Sequence, residues 1–409
     1  MKRLIVLIII GLIAEWYSFQ AVKTSFENKW IQRIYLALSV LAILLLVYSF
    51  LQFDLRHGQT KQTLYTLGLF LLIYIPKFLI AFFLFGEDIF RLIIGTYQNF
   101  THSESYTKFL PERRKFISQV ALAVAAIPFT SIIYGIFQGR YNFRVIKQSI
   151  YFKDLPDEFD GFTIMQLSDI HSGSFDNPEK IQYGIDLINE QQFDLFVFTG
   201  DIVNTFSNEM NDWVGPFSQI KTPEFGKYSI LGNHDYGEYV DWTSEEEKEK
   251  NFEEIKAIHP KIGWNLMLNE NVTLKKGNAI LKLIGVENWG QNFKQAGDLK
   301  SASEGIKKED FKILLSHDPS HWDLQVREHP LNYQLTLSGH THGMQFGIEI
   351  PGFVKWSPVQ YVYKHWAGLY KELNHYIYVN RGFGYHGYPG RVGIWPEITL
   401  LELKKDTNT

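Results

Sequence analysis

The chain of 409 residues contains no cysteine. Disulfides, thiolate metal sites and thiol nucleophiles are thereby excluded, and any chemistry must rest on imidazole, carboxylate, hydroxyl and amide groups. Long basic tracts are also missing, and the formal net charge is −4, so no nucleic-acid partner is indicated. Past the first third there is no tandem repeat or low-complexity stretch. The length suits two or three units rather than one.

Two compositions meet near residue 140. The first part is built from four apolar runs, Leu4 to Val22, Ile31 to Phe53, Leu64 to Phe85 and Phe116 to Phe137, each near the ~20 residues that cross a bilayer as helix. The third is the least regular, because it contains Pro76 and Lys77. Burying four such runs in a soluble domain with only short polar connections is the weaker alternative. The first run has no small-x-small cleavage pattern and more spans follow it, so it reads as retained rather than as a signal peptide. An all-α, four-span transmembrane region over residues 1–140 is expected, making this an integral protein of a lipid bilayer.

Orientation rests on lysine and arginine in the short loops, and here the two sides nearly tie. ERRKFISQVALAVAAIPF (Glu112 to Phe129) resembles a twin-arginine export signal and tips the reading towards the outer side of a bacterial inner membrane. The competing reading is a basic cluster that merely flanks a span.

From about residue 150 short β-rich runs alternate with polar helices. FTIMQLSDIH (Phe162 to His171) starts as a strand, Asn177 and Pro178 open a helix with Ile181, Ile185 and Ile188 on one face, and FDLFVFTGD (Phe193 to Asp201) is a second, apolar strand. This is a β-α-β unit. Ser244 with Glu247 reads as a capping box for a helix ending near Pro260. A hairpin is expected around Gly277 and Asn278, followed by strands in FKILLSHDP (Phe311 to Pro319) and YQLTLSGHTH (Tyr333 to His342).

Open α/β sheets bind ligands where strands end, and five strand ends carry metal-ligand chemistry: Asp169 with His171, Asp201, Asn233 with His234 and Asp235, His317, and His340 with His342. Each motif alone has a bland explanation as a turn, polar loop or packed histidine. The whole series, on this β-α texture, does not. Oxygen and imidazole donors without sulfur suit Mn, Fe or Zn. Asp169, His171, Asp201, Asn233, His317, His340 and His342 are too many donors for one ion and natural for two ions sharing a carboxylate. Alternation along extended backbone would aim Asp169 and His171, and likewise His340 and His342, at one centre, with Gly339 and Gly343 permitting close approach.

The series SDIH, TGD, GNHD, SH and GHTH resembles the calcineurin-like metallophosphoesterase family over roughly residues 150–405. NRGFGYHGYPGR (Asn380 to Arg391) and PEIT (Pro396 to Thr399) resemble the end of its membrane-associated bacterial branch, which carries a similar twin-arginine-like leader. That resemblance implies an α/β domain, a β-sandwich flanked by α-helices, with a dinuclear site. Asp169, His171, Asp201 and His342 would hold one divalent ion, and Asp201, Asn233, His317 and His340 the other. The implied reaction is hydrolysis of a phosphomonoester or phosphodiester, lipid-linked substrates included, by hydroxide held between the ions. His234 would steady the transferring phosphoryl and protonate the departing oxygen, with Asp235 or Asp169 orienting it.

His386 and Arg391 are candidate substrate contacts in a glycine-rich segment. His57 and His102 fall in membrane loops, and His259, His321, His329, His365 and His375 lack ligand-like context. Trp356, Tyr361, Tyr363, Trp366 and Tyr370 read as core, with a lipid-facing or substrate-facing surface as the alternative. A binding scaffold or membrane sensor on the same fold is the competing function. An intact donor set argues against the scaffold, and few charges inside the spans argue against a conduction path.

Overall fold

The computed structural model describes residues 2–101, 109–350 and 352–407; His102 lies outside them. Two compact units emerge, residues 1–53 with 65–136, and residues 54–64 with 137–409.

The first unit consists of α1 (Lys2–Ser25), α2 (Lys29–Leu51), α3 (Lys61–Thr101) and α4 (Phe109–Phe137). Among the described residues three helices, Lys29–Leu51, Lys61–Gln98 and Pro111–Phe137, are long and apolar enough to cross a membrane. The expected first span falls within α1. The expected third span stops sixteen residues short of the end of α3 (Phe85 against Thr101), because the charges of Glu87 and Asp88 do not break a helix. Both acids are answered by Arg114 of α4, at 2.6 Å each. Lys77 is likewise neutralised by Glu15, at 2.6 and 2.7 Å, and donates to Ser39 Oγ at 2.6 Å. Intramembrane charge is costly unless paired. Ala21, Ala121 and Ala125, packed with Tyr17, Ile80 and Leu84, allow close helix approach.

Among the described residues the second unit has fourteen strands: β1 (Arg144–Phe152), β2 (Thr163–Leu167), β3 (Leu195–Phe198), β4 (Lys227–Ser229), β5 (Asn265–Leu266), β6 (Glu270–Lys276), β7 (Ala279–Gly285), β8 (Phe311–Leu315), β9 (Leu335–Ser338), β10 (Ile348–Ile350), β11 (Val354–Trp356), β12 (Gly368–Glu372), β13 (His375–Val379) and β14 (Glu397–Lys405). One sheet has the order β1-β14-β2-β3-β4-β5 and the other β12-β13-β9-β8-β7-β6, while β10 and β11 form a separate hairpin. Strands β2 to β5 run parallel, as do β7, β8, β9 and β13.

Side-chain alternation divides these strands between layers. Ile164, Leu195, Val197, Leu283, Ile313, Leu335 and Leu337 meet between the sheets. Met165, Phe196 and Phe198 turn outward onto α5 (Pro178–Glu190) and the longer of the two helices that follow, α6 (Val214–Ser218) and α7 (Glu245–Lys261). Ile284, Leu314 and Ile377 pack with Trp322 and Val326 on the opposite outer face. This is the helix-flanked β-sandwich expected. Asn177 caps α5 by accepting from Lys180 N–H at 3.0 Å, and Ser244 caps α7 by accepting from Glu247 N–H at 3.2 Å. The hairpin at Gly277 and Asn278 pairs β6 with β7.

Candidate metal centre

All of the sequence-predicted donors converge where strands of both sheets end. Asp169 and His171 follow β2, Asp201 follows β3, and Asn233 and His234 follow β4; His317 follows β8, and His340 and His342 follow β9. Gln166 Nε2 donates to Ser338 O at 2.9 Å, tying β2 to the end of β9.

The backbone there is not extended. Asp169, His171, Asp201, His340 and His342 all have left-handed φ, at 52°, 49°, 63°, 72° and 50°. The alternation argument for the two pairs therefore fails: the chain turns sharply after each strand, and that turn rather than a two-residue repeat aims each side chain. Asp169 and His171 still reach one group, whereas His340 and His342 part. Gly339 is needed because a Cβ there would overlap Ser168 Oγ and Asp169 Oδ2, and Gly232 because one would overlap Asp201.

Three donor groups result among the described residues, Asp169 with His171 and His342, Asp201 with His317 and His340, and an all-imidazole set of His171, His234 and His386. In the first, His171 Nε2 stands 3.0 Å from His342 Nε2, and His342 Nε2 stands 3.2 Å from Asp169 Oδ1. In the second, Asn233 Oδ1 lies 2.7 Å from His340 Nδ1 and 3.2 Å from His317 Nε2. Asp201 Oδ2 lies between the groups, 3.6 Å from His171 Nε2 and 3.1 Å from His317 Nε2.

The nitrogens facing away from this centre are oriented by acceptors. His171 Nδ1 meets Asn204 Oδ1 at 3.1 Å and His317 Nδ1 meets Thr199 O at 2.7 Å; donation there leaves each Nε2 lone pair aimed at the centre. His340 Nε2 meets Tyr363 OH at 2.8 Å, and that hydroxyl donates to Asp318 at 3.3 Å. Such outer partners fix the tautomer of a metal-binding imidazole.

Charge in the site also fits a cation. Asp169 and Asp201 are buried. Burial opposes the charge on Asp201, yet the His317 ring beside it holds its carboxyl well below the usual range. Burial likewise opposes a charged His317, but Asp201 outweighs it and holds the ring up to about 10. A proton thus gathers where carboxylates concentrate negative potential, and a divalent ion would compete for the same place. Burial pushes His171, His234, His340 and His386 down, towards the neutral imidazole that ligates.

These groups open into a pocket of about 350 Å³ that His234 and His386 also line. His386 stacks on His171, with ring centres 4.7 Å apart, and meets His234 edge-on at 4.4 Å. The orienting partner of His234 is neither expected acid. Its Nδ1 meets Asn204 O at 2.8 Å, whereas Asp235 accepts backbone N–H groups of Gly232, Asp201 and Ile202 at 2.8 to 3.0 Å and braces the loops. Burial and the charge of Asp201 push Asp235 up to about 7. Arg391 does not line the pocket: it is fully buried, donates to Gly384 O and Gly382 O, and lies 3.2 Å behind His342 Nδ1.

Sequence reasoning does not single out Asn204, Glu209 or Asp318, and it offers Tyr363 as core with a substrate-facing surface only as the alternative. Asn204 touches His171, His386 and His234, while its own N–H donates to Glu209. Its one sequence signal is its place three residues after Asp201. Of the aromatic set, Trp366 is core, Tyr361 is exposed and Tyr363 belongs to the site.

A family model described as a calcineurin-like phosphoesterase matches residues 162–344, and one described as the probable transmembrane domain of a calcineurin-like phosphoesterase matches residues 1–140. The uncharacterized metallophosphoesterase YkuE of Bacillus subtilis (strain 168) is 32% identical over 298 residues, 71% of this chain and 97% of that protein. A transmembrane protein with metallophosphoesterase domain from Danio rerio is 28% identical, over 69% of this chain and 62% of that one. Among solved structures, the NAD nucleotidase of Haemophilus influenzae matches at TM-score 0.37 and 12% identity, over 55% of this chain and 45% of that one, too distant to bear on activity. With a donor series at the strand ends, a sandwich that gathers it and apolar helices ahead of both, the chain belongs to the calcineurin-like metallophosphoesterase family and is a membrane protein.

Proposed function

We propose that this protein is a membrane-anchored hydrolase of phosphate esters. The observation that carries the reading is the pair of donor groups facing one pocket, with Asp201 between them. Asp169, His171, Asp201 and His342 would hold one divalent ion, and Asp201, Asn233, His317 and His340 a second, drawn from Mn, Fe or Zn by the hardness of the donors. Bound ions lower the pKa of water and neutralise phosphoryl charge.

The remaining residues supply position and protons. His234, its Nδ1 held by Asn204 O, presents Nε2 to the pocket and is our candidate to hydrogen-bond the phosphoryl and protonate the departing oxygen. His386 offers a second imidazole to the same substrate. Arg391 acts from behind, steadying the glycine-rich segment through carbonyls and touching His342.

The substrate class we infer is a phosphate ester carried on a lipid. Beyond Tyr363 of the site, the neighbouring segment exposes Ile348, Ile350, Phe353, Val354, Tyr361 and Val362, with Phe353 89% exposed. Exposed apolar clusters of this kind mark membrane or partner contact, and this chain is already in a membrane.

The test uses the full chain in nanodiscs with added Mn, offered chromogenic monoesters and diesters and a lipid-linked ester in the same bilayer. Turnover is expected, preferring the lipid-linked ester, abolished by chelator and reduced at least a hundredfold in Asp201→Asn, of the order expected when metal chemistry is lost. Metal binding without turnover of any ester would instead establish a scaffold or sensor, and preference for the soluble esters would refute the lipid assignment.

A further inference from the structure

Residues 54–64, most of the connection after α2 together with the first turn of α3, belong to the catalytic unit and not to the helical one. Within that connection Gln59 lines the pocket beside His171, Asn204, His234 and His386. Both ends of its amide are engaged. Nε2 donates to Ser174 Oγ at 3.1 Å, and Oε1 accepts from Gly387 N–H at 2.7 Å.

The two partners sit on different loops, each following a pocket histidine. Ser174 closes the turn that begins at His171, with its N–H donating to His171 O at 2.9 Å. Gly387 directly follows His386. From Ser174 Oγ the network continues to Asn204 Nδ2 at 3.1 Å, and Asn204 Oδ1 meets His171 Nδ1 at 3.1 Å and His386 Nδ1 at 3.3 Å. Gln59 therefore closes a ring of hydrogen bonds around the stacked pair His171 and His386. The connection is seated by its neighbour as well: Gly58 has φ +58°, and a Cβ there would meet Val240 at 2.9 Å and Thr205 Oγ1 at 3.3 Å.

We propose that Gln59 is a positioning residue of the phosphoesterase centre, supplied by the connection between two membrane helices, which locks the His386 loop against the His171 turn. The inference rests on the functional reading above and extends it. The chain between the second and third helices, which belongs with the catalytic unit, then completes the pocket wall. A side chain with both amide ends committed has little freedom of its own, so its effect passes through the two loops rather than through substrate.

The experiment compares wild type, Gln59→Ala, Gln59→Glu and Ser174→Ala, each as full chain in nanodiscs with Mn, by hydrogen–deuterium exchange and by steady-state kinetics on a chromogenic ester. Gln59→Ala is expected to speed exchange across residues 383–391 while β8 stays protected, and to lower kcat about tenfold, the low end for loss of an outer-shell partner, with KM and metal content near wild type. Ser174→Ala should reproduce the kcat loss, and Gln59→Glu, which keeps the acceptor for Gly387 N–H but not the donor to Ser174, should fall between. Unchanged exchange at 383–391 in Gln59→Ala overturns the proposal, as does faster exchange with unchanged kcat. Faster exchange in Gln59→Ala, with a wild-type protein that turns over no ester, would confirm the clamp and sink the phosphoesterase reading instead.

Discussion

Asp169, His171, Asp201, His340 and His342 adopt a backbone that favours glycine, at a cost of order 1–3 kcal/mol each. Glycine at these positions would relieve that cost and forfeit the donors, so the conformation is retained by what the side chains do together. The parting of His340 and His342 makes this testable. His340→Ala and His342→Ala are each expected to lose about one of two bound Mn equivalents, the two-ion arrangement being the premise. The Mn–Mn coupling should vanish in both, but the ion left behind should show different ligand hyperfine signals. Identical residual spectra would refute separate assignments. Asn233 and His317 complete the second group without left-handed backbone, because their loops leave β4 and β8 along other paths.

At the scale of elements, the loops gather donors because β2, β3 and β4 lie side by side in one sheet and β8 and β9 in the other. The surrounding helices hold those strands in place. His259 of α7 is one of their pins: it is fully buried, its Nδ1 meets Ser229 Oγ at 2.8 Å, and burial pushes the ring down to about 3. The folded form therefore binds fewer protons than the unfolded chain between about pH 3 and the ordinary histidine range near 6.5. Stability from this group is complete above that range and falls as pH drops, by up to about 1.4 kcal/mol per unit. His259→Phe should flatten the acid side of a Tm-against-pH curve of the metal-loaded protein between pH 6.5 and 4; an unchanged slope would show that other groups set it.

For the whole molecule, membership of residues 54–64 in the catalytic unit carries a topological consequence. Two helices, α3 and α4, separate that connection from residue 137 onwards, so with both helices crossing the bilayer the two segments are expected on the same side. Because the native chain has no cysteine, single cysteines can report it. Arg56→Cys and Thr407→Cys in sealed vesicles should react with an impermeant maleimide from the same side, and reaction from opposite sides would contradict the arrangement. The same label distinguishes our proposed outer placement of the catalytic unit from a cytoplasmic one. Arg114 of the twin-arginine stretch is held by Glu87 and Asp88, which gives that residue a structural role of its own.

Much of this was written locally. Apolar runs long enough to cross a bilayer, strands ending in Asp, Asn or His, and the caps at Asn177 and Ser244 need only neighbours within a few residues, so the sequence by itself determined the two compositions, the β-α order and the donor inventory. Other features depend on residues far apart in the chain. Asn204 orients histidines that lie 30 to 182 positions away, Tyr363 reaches His340 from an aromatic run that reads as core, and Asp235 and Arg391 face backbone rather than substrate. α3 also outran the expected span, since a helix continues through Glu87 and Asp88, whose partner Arg114 lies on another helix. Gln59 is the extreme case: one of several polar residues between α2 and α3, hydrogen-bonded to an amide 328 positions on. Chemistry at a strand end is fixed by residue type, whereas the choice of which atom it faces is made only when two sheets, their loops and that connection close on one another.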